Sequence, residues 1–182
     1  MNQLSDIDWD NWQEKDPATL VFVIRDGKIL LINKKTGLGK GKVNGPGGKV
    51  EQGESPEACA VRECQEELNI TVSNLQYCGQ HRFQFVDGYS ILVWVYRTGD
   101  FEGVPTETRE AKPLWVALDE IPYDLMWEDD GIWIPMMLRS ERFQGRWIFD
   151  GDKMLDYELL AEGEEVIASM DIDKNNNQEK VG

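Results

Sequence analysis

Histidine and cysteine are scarce in this sequence of 182 residues, which has one histidine, His81, and three cysteines, Cys59, Cys64 and Cys78. A nitrogen-sulfur metal centre of the zinc type needs several such ligands at short regular spacings, and these residues lack that spacing. An odd number of cysteines offers no disulfide framework, so all three are expected as buried or half-buried free thiols in a reducing compartment. His81 is expected on a strand surface. Basic residues are also few: 19 Lys and Arg stand against 34 Asp and Glu, a formal charge of −15. That balance excludes a protein that holds long nucleic acid by covering its phosphates with cations. It also repels any polyanion unless a local cation intervenes. No run approaches the ~18 apolar residues of a membrane span, and the opening MNQLSDIDWDNWQEKD has neither the basic nor the apolar region of a signal peptide. The expectation is a soluble cytoplasmic protein without a membrane partner. A monomer is expected, with a dimer left open.

What is present has the balance of a globular domain, 41% hydrophobic and 29% charged. Residues 1–16 form an acidic, mostly polar arm that carries the rings of Trp9 and Trp12, and it either docks by those rings or stays loose. Residues 17–162 form the domain. Residues 163–182 are acidic and then polar, and disorder is expected there. From Thr19, two runs rich in β-formers, TLVFVI and KILLINKK, flank Arg25-Asp26-Gly27 as a hairpin. A second hairpin turns at Val86-Asp87-Gly88 and a last one over Asp150-Gly151-Asp152. WVALDEIP is expected as a short strand running into a turn, and WEDDGIWIPMMLRSERF as a loop leading into a helix broken or started at Pro135.

Between the first two hairpins the chain changes character. Seven glycines and Pro46 crowd residues 37–53, which means tight turns or close approach of the backbone to something. Ser55 then suits an N-cap and Pro56 the first helical position. EACAVRECQEEL continues without a breaker to Asn69, which suits a left-handed C-cap.

On that helix the apolar stripe through Val61, Cys64 and Leu68 is narrow, and Glu63, Glu66 and Glu67 share a separate arc. Like charges at i, i+3 and i+4 repel, which a solvated face tolerates. The glycines and Glu54 just before the helix favour a different use. Clustered carboxylates suit a hard divalent cation, Mg²⁺ or in its place Mn²⁺, which takes the rest of its shell from water and phosphate oxygens. Gly47-Gly48 would let the backbone come close to such an ion.

These residues carry a family resemblance. Gly48 to Ile70 resembles the signature of the Nudix hydrolases: a glycine, five residues, a glutamate, seven residues, then Arg-Glu, an apolar residue, any residue, Glu-Glu, any residue, a glycine and an apolar residue. Gly48, Glu54, Arg62, Glu63, Glu66, Glu67 and Ile70 match, whereas Asn69 replaces a glycine and Cys64 fills an apolar slot. The resemblance implies an α+β fold of the Nudix type, a mixed curved sheet between helices with a catalytic loop-helix-loop. It implies metal-dependent hydrolysis of a nucleoside diphosphate linked to another group. By position, Glu63 and Glu67 would bind metal, Glu66 would be a further ligand or the general base, and the Gly48 carbonyl a possible ligand. Glu54 would assist from the loop and Arg62 would orient Glu63. Glu110 aligns with a carboxylate that often joins the metal cluster, or is a solvated loop residue.

The resemblance extends over about residues 19–160 to the oxidised purine nucleoside triphosphatase branch of that family. The implied substrate is 8-oxo-dGTP or a similar purine nucleoside triphosphate, cleaved to monophosphate and pyrophosphate, which keeps damaged bases out of DNA. Trp127 would offer a stacking face and Asn44 a planar amide. The pair Asp129 and Asp130 would read the base, one carboxyl neutral and donating while the other accepts. Trp127 also suits a core, and Asp129-Asp130-Gly131 also suits a plain helix start. Leu38 and Pro46 stand where the animal enzymes have aromatics. Lys34 and Lys35 are candidates for steering phosphates. Two alternatives stay open: another nucleoside diphosphate-linked substrate (an RNA 5′ end, a dinucleotide polyphosphate or a nucleotide sugar), and a nucleotide sensor without catalysis.

Overall fold

The computed structural model describes residues 1–162 and 166–170. Twelve strands and two α-helices appear among them. Both antiparallel and parallel pairings occur among the strands, and two of the short strands pair separately as a two-stranded sheet. The described residues group into two compact units, residues 16–78 with 93–127, and residues 1–15 with 79–92 and the described residues from 128 onward.

In the first unit, β1 (Asp16–Arg25) and β2 (Lys28–Lys34) form the first hairpin, with Val23 opposite Leu30. Asp26 and Gly27 turn it at φ of 54° and 74°, the left-handed pair that a two-residue hairpin needs. The strand starts three residues before Thr19 because β4 (Gly47–Lys49) folds back on it, Ala18 opposite Lys49. β3 (Val43–Asn44) and β9 (Ala111–Ala117) lie on either edge of β2, so β9 begins earlier than expected. Helix α1 spans Pro56–Leu68. Ser55 caps it by accepting from the Ala58 N–H, and Asn69 ends it at φ 59°. Its inner face, Ala60, Cys64 and Leu68, packs on Val21, Val23, Leu30 and Ile32 of the hairpin and on Ile70 and Val72 of β5 (Thr71–Ser73). Each large apolar side chain buried in this way contributes about 1.5–3 kcal/mol. β8 is the short strand Asp100–Glu102.

The second unit contains β10 (Phe143–Asp150), which pairs in parallel with β6 (Gln76–Phe85) and antiparallel with β11 (Lys153–Ala161). Its core is aromatic, and its centre is His81. The sequence places His81 on a strand surface, but the residue is fully buried. It alternates with Phe83 and Phe85 on the buried face of β6, stacks 5.0 Å from Phe143 and lies 4.6 Å from Trp133. The Trp147 indole N–H donates to its Nδ1 at 2.9 Å. Burial lowers its pKa to about 3.

Helix α2 runs Asp130–Leu138, so Pro135 lies inside it rather than at a break or start. The N–H that proline lacks would have bonded the carbonyl of Gly131, and Gly131 is exposed, so solvent can serve that carbonyl. β7 is Ser90–Thr98. The arm docks: Trp12 donates to Gln84 at 2.9 Å, the Leu4 N–H bonds Asp156, and Arg82 and Arg146 lie 5.7 Å over Trp12 and Trp9. Val166–Ser169, within the tail expected to be disordered, forms β12 on β11. Residues 163–165 and 171–182 of that tail lie outside the described residues. No helix among the described residues is long and apolar enough to cross a membrane. The three cysteines are free and buried, as expected.

Candidate active site

Helix α1 carries the carboxylates, and its packing divides them. Glu63 and Glu67 are buried, whereas Glu66 is exposed. Glu110, on the loop before β9, completes a cluster in which one oxygen each of Glu63, Glu66 and Glu110 lie within 4.8 Å of one another. Glu67 stands one step aside. Its Oε1 accepts the Gly47 N–H at 3.1 Å, and its Oε2 is buried without a hydrogen-bond partner among the described residues.

Gly48 approaches the Glu63 carboxylate so closely that a Cβ there would overlap it, at 2.8 Å from Oε2. The glycine-rich turn therefore brings bare backbone against the Glu63 carboxylate. The Gly48 carbonyl lies 3.5 Å from the Cys59 thiol. Burial raises that thiol's pKa to about 11, so it stays neutral and is no competing soft ligand.

Arg62 organises the cluster. Its Nε and Nη2 grip both oxygens of Glu54 at 2.8 and 2.9 Å. Nη1 donates to Glu63 at 2.9 Å and Glu66 at 3.1 Å, and Nη2 also reaches the Lys49 carbonyl at 3.0 Å. All five N–H groups of the fork are thus engaged. The guanidinium lowers the Glu54 pKa to about 2. Glu63 is raised by burial, against the pull of Arg62. Glu67 is raised to about 8, by burial first and by the charge of Glu63, opposed by the Gly47 N–H and the nearby Lys34. Buried carboxylates that repel one another, with an unpartnered oxygen among them, fit a cation with oxygen ligands.

The loop carrying Glu110 is tied down by Thr108, which the sequence does not single out, and by Lys35. The Thr108 hydroxyl donates to the Glu67 carbonyl at 2.8 Å. Lys35 is committed to this loop, with Nζ on the Thr108 carbonyl at 2.8 Å and on Glu107 at 2.6 Å, so it is not a spare cation for phosphates. Lys34 is half-buried on β2 and acts electrostatically on Glu67.

The other expected residues fall in two places. In the first unit, the Asn44 side chain accepts the Gly45 N–H at 2.9 Å. Trp127 is half-buried; Gly39 packs on its indole edge and the Lys42 ammonium stands 5.3 Å over its ring. Leu38, in the same loop as Gly39, is exposed. In the second unit Asp129 and Asp130 are both buried. The Trp133 indole N–H donates to Asp129 at 2.7 Å. Burial raises Asp129 to about 6 and, with the charge of Asp129, raises Asp130 well above the carboxylate range. Asp130 Oδ2 is buried without a partner among the described residues. Trp133 was open to detection from its i, i+4 spacing to Asp129.

The sequence model of the family described as NUDIX domain matches residues 14–137. The chain is 41% identical over 149 residues to the oxidized purine nucleoside triphosphate hydrolase of Danio rerio, covering 81% of this chain and 96% of that protein. It is 40% identical to the Mus musculus protein of the same description, over 78% of this chain and 92% of that one. Among solved structures, the MutT protein from Bacillus halodurans is similar at a TM-score of 0.70 and 28% identity, over 79% of this chain and 97% of that one. With the family model spanning more than half its length and the signature carboxylates on one helix, the chain belongs to the Nudix family.

Proposed function

We propose that this chain hydrolyses purine nucleoside triphosphates with an oxidised base, 8-oxo-dGTP among them, adding water across the α–β phosphoric anhydride to give the monophosphate and pyrophosphate. The observation that carries the chemistry is the convergence of Glu63, Glu66 and Glu110. The substrate class is supported by the descriptions of the Danio rerio and Mus musculus relatives, each matched over most of its length.

Glu63, Glu66, Glu67 and Glu110, with the Gly48 carbonyl, would hold Mg²⁺ or Mn²⁺. Such an ion, when bound, neutralises phosphate oxygens and makes a water a better nucleophile. The rest is the work of the chain. Arg62 keeps Glu63 and Glu54 oriented by charge-assisted bonds. Lys34 offers positive charge beside the carboxylates in a protein that otherwise repels triphosphate. Trp127 gives the base a stacking face and Asn44 an amide. In the other unit, Asp129 and Asp130 offer an acceptor and a protonated donor of the kind a purine edge takes.

The test is a kinetic panel with 8-oxo-dGTP and dGTP, with and without Mg²⁺, on the wild type, Glu63→Gln and Glu66→Gln. The expected result is Mg²⁺-dependent release of pyrophosphate, higher kcat/KM for the oxidised substrate, and a large loss of kcat in both variants with nucleotide binding retained. Unchanged kcat in both variants would remove the carboxylate site. Equal kcat/KM for the two nucleotides would remove the oxidised-base preference and leave the hydrolysis standing.

A further inference from the structure

Helix α1 ends at Leu68, and the last carbonyls of a helix have no donor within it. Three of them are met here. The Gln65 carbonyl takes the Asn69 N–H at 3.0 Å, the Glu67 carbonyl takes the Thr108 hydroxyl at 2.8 Å, and the Leu68 carbonyl takes the Thr106 N–H at 2.9 Å. The Thr108 oxygen then accepts the Glu110 N–H at 3.2 Å. One hydroxyl thus joins the helix bearing three carboxylates to the backbone of the fourth. On its other side the Glu110 carbonyl accepts the Lys35 N–H from the end of β2 at 2.9 Å, and Lys35 Nζ holds the Thr108 carbonyl.

We propose that Thr108 is a positioning residue for the metal site, setting Glu110 against Glu63 and Glu66 by bridging the Glu67 carbonyl and the Glu110 amide. The inference rests on the metal-site reading above. Glu110 is an exposed loop residue, and an exposed carboxylate on a free loop would lose conformational entropy each time it joined a cation. Because the Thr108 bridge and the Lys35 strut fix its backbone beforehand, the fourth ligand is already in place. Serine can make both bonds. Valine has the same shape as threonine and can make neither.

Binding of Mn²⁺ alone, followed by the EPR signal of the free ion, tests this on the full chain. Thr108→Val is expected to weaken Mn²⁺ binding about tenfold, the usual loss when a group supporting a metal ligand is removed. Thr108→Ser should restore it. Glu110→Gln should weaken binding comparably, and the Thr108→Val/Glu110→Gln double variant should lose no more than Glu110→Gln alone, since the threonine acts through the glutamate. Additive losses in the double variant, or failure of serine to rescue, would overturn the positioning role. If Thr108→Val binds as the wild type does while Glu63→Gln is impaired, the inference falls and the metal site stands. If Glu63→Gln also binds normally, the metal-site reading itself falls.

Discussion

Trp133 donates its indole N–H to Asp129 at 2.7 Å from one turn further along the chain. That bond favours the charged form of Asp129, while its neighbour Asp130 is pushed well above the carboxylate range by burial and by Asp129. Near neutral pH the pair therefore offers one acceptor and one donor.

The pair can be tested by a ratio. Titration of the metal carboxylates affects every nucleotide alike, so it cancels when kcat/KM for 8-oxo-dGTP is divided by that for dGTP. Asp129 titrates at about 6. Below that pH the acceptor is lost, and the ratio is expected to fall by up to about tenfold per pH unit. Trp133→Phe removes the bond that lowers the Asp129 pKa, so the acid limb should move to higher pH. A ratio that is flat with pH in the wild type would separate the pair from base recognition.

Gly48→Ala is expected to cost about 100-fold in kcat, because a Cβ overlaps the Glu63 carboxylate and a displacement of about 1 Å at a reacting centre has that effect. The melting temperature should change little. Steady-state kinetics and a thermal scan check both halves of this outcome. A kcat near that of the wild type would mean that Glu63 tolerates displacement.

His81 makes stability depend on acid. Its folded pKa, about 3, lies below the ordinary value of 6.5. Between these values the unfolded chain binds a proton at His81 that the folded chain does not, so the contribution of His81 to stability is full above 6.5 and is lost as pH falls toward 3. The slope is at most about 1.4 kcal/mol per pH unit. The buried carboxyls of Glu67, Asp129 and Asp130, raised in the folded chain, give a slope of the opposite sign in this range, so the His81 contribution is read as the difference in slope between the wild type and His81→Gln in urea unfolding between pH 6.5 and 5. An equal slope in the variant would assign the acid sensitivity elsewhere.

The parts of the site that could be read along the chain are those governed by local chemistry. Ser55, Pro56 and Asn69 set the ends of α1 through capping and backbone preference, and the spacing of Glu63, Glu66 and Glu67 follows from helical geometry. The hairpin at Asp26-Gly27 is equally local. The strands β3, β4, β5 and β8 have two or three residues each, too few for periodicity, and exist only because a distant strand pairs with them. His81 is buried despite its polarity because it alternates with Phe83 and Phe85 on one face of β6, and its partner Trp147 lies 66 residues away in the chain.

By itself, then, the sequence determined the chemistry available to this protein: a cluster of carboxylates on a capped helix, glycines beside it, and a charge balance poor in cations. Only the tertiary structure decided which carboxylates converge, because Glu110 lies 44 residues beyond Glu66 in the chain and meets it through long-range hydrogen bonds at Thr108 and Lys35. It also decided the protonation of Glu67, Asp129 and Asp130. The physical reason is that a pKa is set by the burial and partners of the group, and both are properties of packing rather than of residue type.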